Sequence, residues 1–235
     1  MNLFNLRFTV KKVDHKQNQN LLFNIIVPLF NAEQYIEKCL KSILKQSYKR
    51  FQVQVVDDCS SDSSYEIASS ICGVNKNFKI FKNSRRIGAL NNISNLLDTK
   101  IKEPSRTVDL VIDGDDYLYS GDVLNIVKEK YLETNCLITY GSHISSKGIQ
   151  GKKYPRLIRE FNLFRKYFWY GSHLRTFRHD LWLAINPQDL LNINKEYYPV
   201  AWDLAMMFPM LEMAGKRQEF ISCLLYTSDA ADDPT

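Results

Sequence analysis

The chain has 235 residues, 45% of them hydrophobic, and a formal charge of +5 from 31 Lys and Arg against 26 Asp and Glu. This is enough apolar material to bury a full core, and it predicts one large α/β domain. The basic residues are scattered, with short clusters only at Lys152-Lys153 and at Arg156 and Arg159, which excludes the footprint of a nucleic-acid binder.

Residues 1–20 are polar, close with Lys16-Gln17-Asn18-Gln19-Asn20, and read as an extension with a short strand near residues 6–10. The organised pattern begins with Phe23-Asn24-Ile25-Ile26-Val27-Pro28, a short apolar run such as a buried parallel strand shows. A helix is predicted over residues 32–46, with Tyr35, Ile36, Cys39, Leu40, Ile43 and Leu44 on one face. Strands follow over 51–56, 78–82, 108–112 and 136–140, separated by helices over 63–71, 88–97 and 122–132. This alternation predicts a mainly parallel, Rossmann-like sheet with helices on both faces. Residues 142–200 are irregular and aromatic-rich. A helix from Asp203 then carries Leu204, Met207, Phe208 and Leu211 on its apolar face, with Pro209 expected to kink it or limit its first turns. A last strand spans 220–225.

The domain is therefore expected over residues 21–226. The remainder, residues 227–235, breaks in style and resembles a translated sequencing adaptor rather than native protein. Five cysteines (Cys39, Cys59, Cys72, Cys136, Cys223) share no Cys-x-x-Cys spacing, which predicts reduced thiols and a cytoplasmic setting. No apolar run approaches the roughly 18 residues that cross a bilayer, so membrane contact would be peripheral.

Asp113-Gly114-Asp115-Asp116 stands directly after the apolar run Asp109-Leu110-Val111-Ile112. Three carboxylates in four residues at the end of a buried strand repel one another, and a divalent cation compensates them best. A second pair, Asp57-Asp58, ends the strand Phe51-Gln52-Val53-Gln54-Val55-Val56. In parallel sheets ligands bind at the carboxyl ends of strands, so both pairs point to one acidic rim. An EF-hand is excluded, because loop positions 6 and 12 would be Leu118 and Leu124. The four dispersed histidines form no zinc set. Asp57 and Asp58 could alternatively cap a helix near residues 60–62, a task that suits Asp62 better.

Three segments together carry a resemblance: Ile25-Ile26-Val27-Pro28-Leu29-Phe30-Asn31-Ala32, the stretch from Tyr35 to Tyr48, and Val55-Val56-Asp57-Asp58-Cys59-Ser60-Ser61-Asp62. They resemble family-2 glycosyltransferases, which adopt the GT-A fold and usually invert the anomeric centre. The likeness spans about residues 23–225, with Cys59 standing where a Gly is common. It implies transfer of a sugar from a nucleotide-diphosphate sugar, a UDP-sugar by preference, to a glycan, lipid-linked or protein hydroxyl. Asp113 and Asp115 would be the Asp-x-Asp motif that holds Mn²⁺ or Mg²⁺. Asp58 would accept a hydrogen bond from the base or ribose, Pro28 and Phe30 would wall the base, and Asn31 would belong to the donor site. Arg86 or Arg85 would meet a phosphate or ribose, unless either is ordinary surface.

Asp203, after Trp202, stands where relatives carry Glu-Asp, and would take the acceptor's proton; the alternative is a carboxylate that merely suits a helix N-terminus. Residues 171–178 resemble a loop-to-helix segment bordering the acceptor side. There His173 and Arg175 would face acceptor or diphosphate, or serve structure. The aromatic run from Tyr167 to Tyr170 fits sugar stacking or core packing. A sugar-nucleotide nucleotidyltransferase, or a catalytically impaired sugar-nucleotide-binding module, are the alternatives. The first normally has a glycine-rich basic loop after its first strand, and residues 28–35 do not form one.

Overall fold

Alternation in the first strand, β1 (Leu22–Leu29), sets the two layers of the core. Phe23, Ile25 and Val27 join one apolar cluster and Ile26 joins the other, as period-two geometry requires. The computed structural model describes residues 20–227; the expected strand near residues 6–10 and the tail over 228–235 lie outside the described residues. The helix α1 (Ile36–Leu44) is shorter than predicted, because residues 32–35 form a turn in which Ala32 C=O accepts from both Tyr35 and Ile36 N–H. Next come β2 (Phe51–Asp57), α2 (Ser64–Val74), β3 (Phe78–Lys82), α3 (Ala89–Leu97), β4 (Thr107–Val111), β5 (Tyr117–Leu118) and α4 (Val123–Thr134). The chain continues through β6 (Ile138–Ser145), β7 (Gly148–Gln150), α5 (Arg156–Glu160), β8 (Ser172–Arg178), α6 (His179–Trp182), α7 (Trp202–Ala214) and β9 (Gln218–Tyr226).

The strands form one sheet in the order β3-β2-β1-β4-β8-β6-β9-β5, with β7 beside β6. The first four are mutually parallel. β8 is antiparallel to both β4 and β6, so β6 runs with β4, and β9 runs with β6. The sheet is therefore mainly parallel. Helices α1, α2 and α4 cover one face, and α3, α5, α6 and α7 the other.

Two expectations need correction. Residues 171–178 are not a loop leading to a helix: Ser172–Arg178 is β8, a central strand. One face carries Leu174 and Thr176, with Thr176 Oγ1 hydrogen-bonded to Tyr131 and Thr139; the other carries His173 and Arg175. The second correction concerns α7. Of the expected face, Met207 and Leu211 are buried but Leu204 and Phe208 only partly so, and Met206, Pro209, Met210 and Ala214 are buried as well, with Pro209 inside the helix. Helix α7 lies deep against α3 and α6, and that packing outweighs the one backbone hydrogen bond a proline removes.

Gly141 is required where β6, β8 and β9 meet. A Cβ there would stand 2.4 Å from Ile221 O and 2.6 Å from His173 O, both backbone atoms. Gly141→Ala is therefore expected to cost about 2–3 kcal/mol, the upper range for overpacking, read as a lower midpoint in urea. An unchanged midpoint would show that the strands can part freely.

A buried polar chain crosses the same sheet. Gln52 and Gln54 side-chain amides donate to Asn24 Oδ1, at 3.0 and 2.9 Å. Asn24 Nδ2 donates to Asp109 Oδ1 at 2.7 Å, and Asp109 Oδ2 lies 2.8 Å from His179 Nδ1. Asn24, Asp109 and His179 are all buried.

Candidate active site

The carboxyl ends of β1, β2 and β4 share one edge because their registers align Leu29 with Asp57 and Ile26 with Val111. Past β4 the chain turns tightly: Gly114 N–H donates to Pro28 O at 3.1 Å and Asp116 N–H to Asp113 O at 2.9 Å. A Cβ on Gly114 would press on Leu29 Cδ1 at 3.0 Å and Pro28 O at 3.2 Å, so the small residue lets the acidic turn lie on β1. A cavity of about 610 Å³ opens at this edge, lined among others by Pro28, Phe30, Asp58, Arg86, Asp113 and Trp202. Asp58 and Asp113 thus face one space.

Asp58 is held from several sides. Asn83 Nδ2 and Ile87 N–H donate to Oδ1 at 2.9 Å each, and Gly88 N–H donates to Oδ2 at 2.8 Å. Burial works to raise its pKa, yet these donors outweigh it and hold the carboxyl below the usual range. The Arg86 guanidinium stacks on Phe30, 3.8 Å from the ring centroid, so both residues form one wall. Arg85 is exposed and outside this lining. Asn31 does not line the cavity either. Left-handed at φ +46°, it accepts from Ser61 N–H at 2.9 Å and ties the ends of β1 and β2 together. Asp62 accepts from Ser64 N–H and Glu33 N–H, while Asp57 accepts from Ser60 N–H. Cys59 adopts φ +67°, the backbone region that explains why glycine is common there.

The acidic turn gathers Asp113, Asp116 and His173, each offering an atom within 4.8 Å of the others. His173 Nε2 lies 3.3 Å from Asp113 Oδ2 and 3.8 Å from Asp116 Oδ2. Asp115 is half-buried and outside this trio. Among the described residues, none donates a hydrogen bond to either carboxylate oxygen of Asp116, although the residue is buried. Its pKa is pushed up to about 9, first by burial and then by the charges of Asp113 and Asp115. For Asp113 burial acts upward, but His173 and Arg175 outweigh it and hold the group low. Burial and the Arg175 charge push His173 down, which favours neutral imidazole, the form that ligates metals. An orphaned buried carboxylate beside a second carboxylate and an imidazole fits Mn²⁺ or Mg²⁺ in donor chemistry.

Asp203 begins α7, and its neighbour Trp202 lines the cavity. Its Oδ2 accepts from Arg175 Nη2 at 3.0 Å, and Arg175 Nη1 reaches Asp113 Oδ2 at 3.6 Å. Sequence reasoning did not find the wall made by Tyr197, Tyr198 and Pro199, where Tyr197 Oη pairs with Ser94 Oγ at 3.1 Å. Asn83 bridges Asp58 and Asn92. The period-two spacing of His173 and Arg175 was the available signal for one strand face. Of the aromatic run, Trp169 packs edge-on to Tyr154 and Phe208, while Tyr167 and Phe168 are exposed.

A helix-flanked, mainly parallel sheet with an acidic, nucleotide-sized cavity at its carboxyl edge is a GT-A fold. The chain belongs to glycosyl transferase family 2, whose model matches residues 24–190. It is 28% identical over 134 residues to the glycosyltransferase GlyA of Streptococcus pneumoniae, a match covering 57% of this chain and 18% of GlyA. Two solved structures share the fold. S. aureus TarS in complex with UDP superposes with a TM-score of 0.63 and 21% identity, over 88% of this chain and 60% of that one. The mannosyltransferase PcManGT of Pyrobaculum calidifontis, in complex with GDP-Man and Mn²⁺, gives 0.58 and 19%, over 88% and 56%. The chain spans less than two thirds of the length of each of these three proteins. Among the described residues, no helix is long and apolar enough to cross a membrane.

Proposed function

We propose that this chain transfers a sugar, with inversion, from a nucleotide-diphosphate sugar to a hydroxyl acceptor in the cytoplasm. The observation that carries this reading is the single cavity shared by Asp58, the Phe30–Arg86 wall and Asp113. It offers a polar anchor and an aromatic wall for a nucleoside, with an acidic turn for its phosphates. UDP is the favoured nucleotide, in keeping with the TarS complex, and PcManGT shows the same fold beside Mn²⁺.

Asp58, already fixed by its three donors, orients the base or ribose, and Pro28 and Phe30 flank it. Asp113 and Asp115, as the Asp-x-Asp pair, would hold a divalent ion, with Asp116 and His173 as further donors beside Asp113. When bound, that ion supplies charge neutralisation for the departing diphosphate. Arg175 holds Asp203 by Oδ2, leaving Oδ1 to take the acceptor hydroxyl's proton as that oxygen attacks C1. In the same displacement the C1–O bond to the diphosphate breaks, and its electron pair leaves with the diphosphate.

Calorimetry with UDP tests the reading. UDP is expected to bind with Mn²⁺ present and to weaken about tenfold or more on chelation, a loss within the usual coupling range. Asp113→Ala and Asp115→Ala should each remove most of that metal-dependent gain. Equal UDP affinity with and without metal would sink the ion's role, and no affinity under either condition would sink the donor site.

A further inference from the structure

Arg175 stands between two carboxylates that the proposed reaction uses separately. It is buried on the central strand β8. Its guanidinium faces Asp203 Oδ2 at 3.0 Å and Asp113 Oδ2 at 3.6 Å, with the Trp202 ring centroid 5.1 Å from Cζ. Among the described residues, its Nε and Nη1 find no hydrogen-bond acceptor. A buried guanidinium with idle N–H groups is ready to receive another acceptor, and phosphate oxygens match its fork.

Asp113 Oδ2 is also the oxygen nearest His173 Nε2. The carboxylate a divalent ion would use is therefore the one that Arg175 already faces. A doubly charged ion and a guanidinium on one half-buried carboxylate repel each other more strongly than they would in water. A diphosphate removes the conflict, because its oxygens can take both the ion and the idle N–H groups.

We propose that Arg175 is a positioning residue that makes tight metal binding conditional on the diphosphate. Without the diphosphate it serves as counter-ion to Asp113 and Asp203 together. With it, the guanidinium pairs with Asp203 and a phosphate oxygen, and Asp113 passes to the ion. Linkage then requires the ion to tighten the diphosphate by the same factor. The inference rests on the metal-assisted donor reading above.

The test is calorimetric titration of Mn²⁺ into the full chain, with and without UDP, for wild type, Arg175→Met and Asp203→Asn. UDP should tighten Mn²⁺ about tenfold or more in wild type, within the range of ordinary site coupling. Arg175→Met should bind Mn²⁺ alone about tenfold tighter and lose most of the coupling, again on that scale. Asp203→Asn should act oppositely. It removes the negative charge at 203 while keeping an acceptor, so the guanidinium's charge falls more fully on Asp113, and it weakens Mn²⁺ binding several-fold, although Asp203 is not a donor to the ion. Unchanged Mn²⁺ affinity and coupling in Arg175→Met overturn the inference. Should that variant fail to fold, unchanged or tighter Mn²⁺ binding by Asp203→Asn overturns it. If UDP binds none of the three, the donor reading falls, while the metal-alone comparison still decides the role of Arg175. If Mn²⁺ binds none of them under any condition, both fall together.

Discussion

Asp203→Asn is expected to keep its nucleotide at saturating Mn²⁺ and to lose about 100- to 10,000-fold in the rate of transfer, the usual range for a general base. The substitution is nearly isosteric, and an amide oxygen can still accept from Arg175 Nη2, now 3.0 Å from Oδ2. What it cannot do is take a proton. The position is otherwise rigid. Ala201 before α7 is left-handed at φ +51°, and Met206, Met207, Met210 and Leu211 anchor the helix in the core. That rigidity is what holds a base at a fixed distance from its target. Turnover and UDP affinity measured on one preparation separate the outcomes. Near-normal turnover would remove Asp203 from the reaction, and joint loss of UDP binding would mean a collapsed site rather than a missing base.

Asp109→Ala should lower the free energy of unfolding by about 3–5 kcal/mol, the cost of removing one partner from a buried polar pair. Asp109 accepts from Asn24 and faces His179, with no exposure of its own. Burial pushes its pKa up, and His179 opposes the shift. Without the carboxylate, the Asn24 amide and the His179 ring lose their partner in a dry place. Asp109→Asn keeps an oxygen for Asn24 and should lose roughly 1–2 kcal/mol, within the range for a single unsatisfied group. Urea unfolding of both variants gives the comparison. Equal losses would assign the whole effect to charge, and a loss below about 1 kcal/mol for alanine, the worth of an ordinary hydrogen bond, would show that the chain Gln52–Asn24–Asp109–His179 is not needed.

The parallel half of the fold was legible because β1 and β4 are mostly apolar runs, while β2 and β3 intersperse polar residues among apolar ones. Parallel strands place their ends together, so the meeting of Asp58 and Asp113 followed from Val56 and Ile112 preceding them. β8 was not legible. His173, Arg175 and Arg178 interrupt its pattern, and their partners lie far along the chain, at Asp113, Asp203 and Ser105. A strand buried on both faces that carries three basic or imidazole side chains looks like surface until those partners are known. The cluster of Asp113, Asp116 and His173 was half legible for a similar reason. Composition marks the acidic turn, but only its path, with Asp116 N–H returning to Asp113 O, brings Asp116 beside His173. Asn31 has a contact that its sequence did not announce, since its side chain ties the rim together beside the cavity.

The place of β8 also bears on how the chain reaches this structure. β4 and β6 leave the ribosome before β8, yet β8 is the strand that lies between them. The first half can assemble β3-β2-β1-β4 as it emerges, but the growing chain cannot complete its sheet until residues 172–178 arrive. Until then the open edge of β4 is unpaired, and unpaired edges invite contacts with other chains. Slow closure across such long separations follows from the loop entropy it must overcome. Synthesis arrested short of residue 172 should therefore leave an aggregation-prone nascent chain, even though Phe30, Asp58, Arg86 and Asp113 would already have been made.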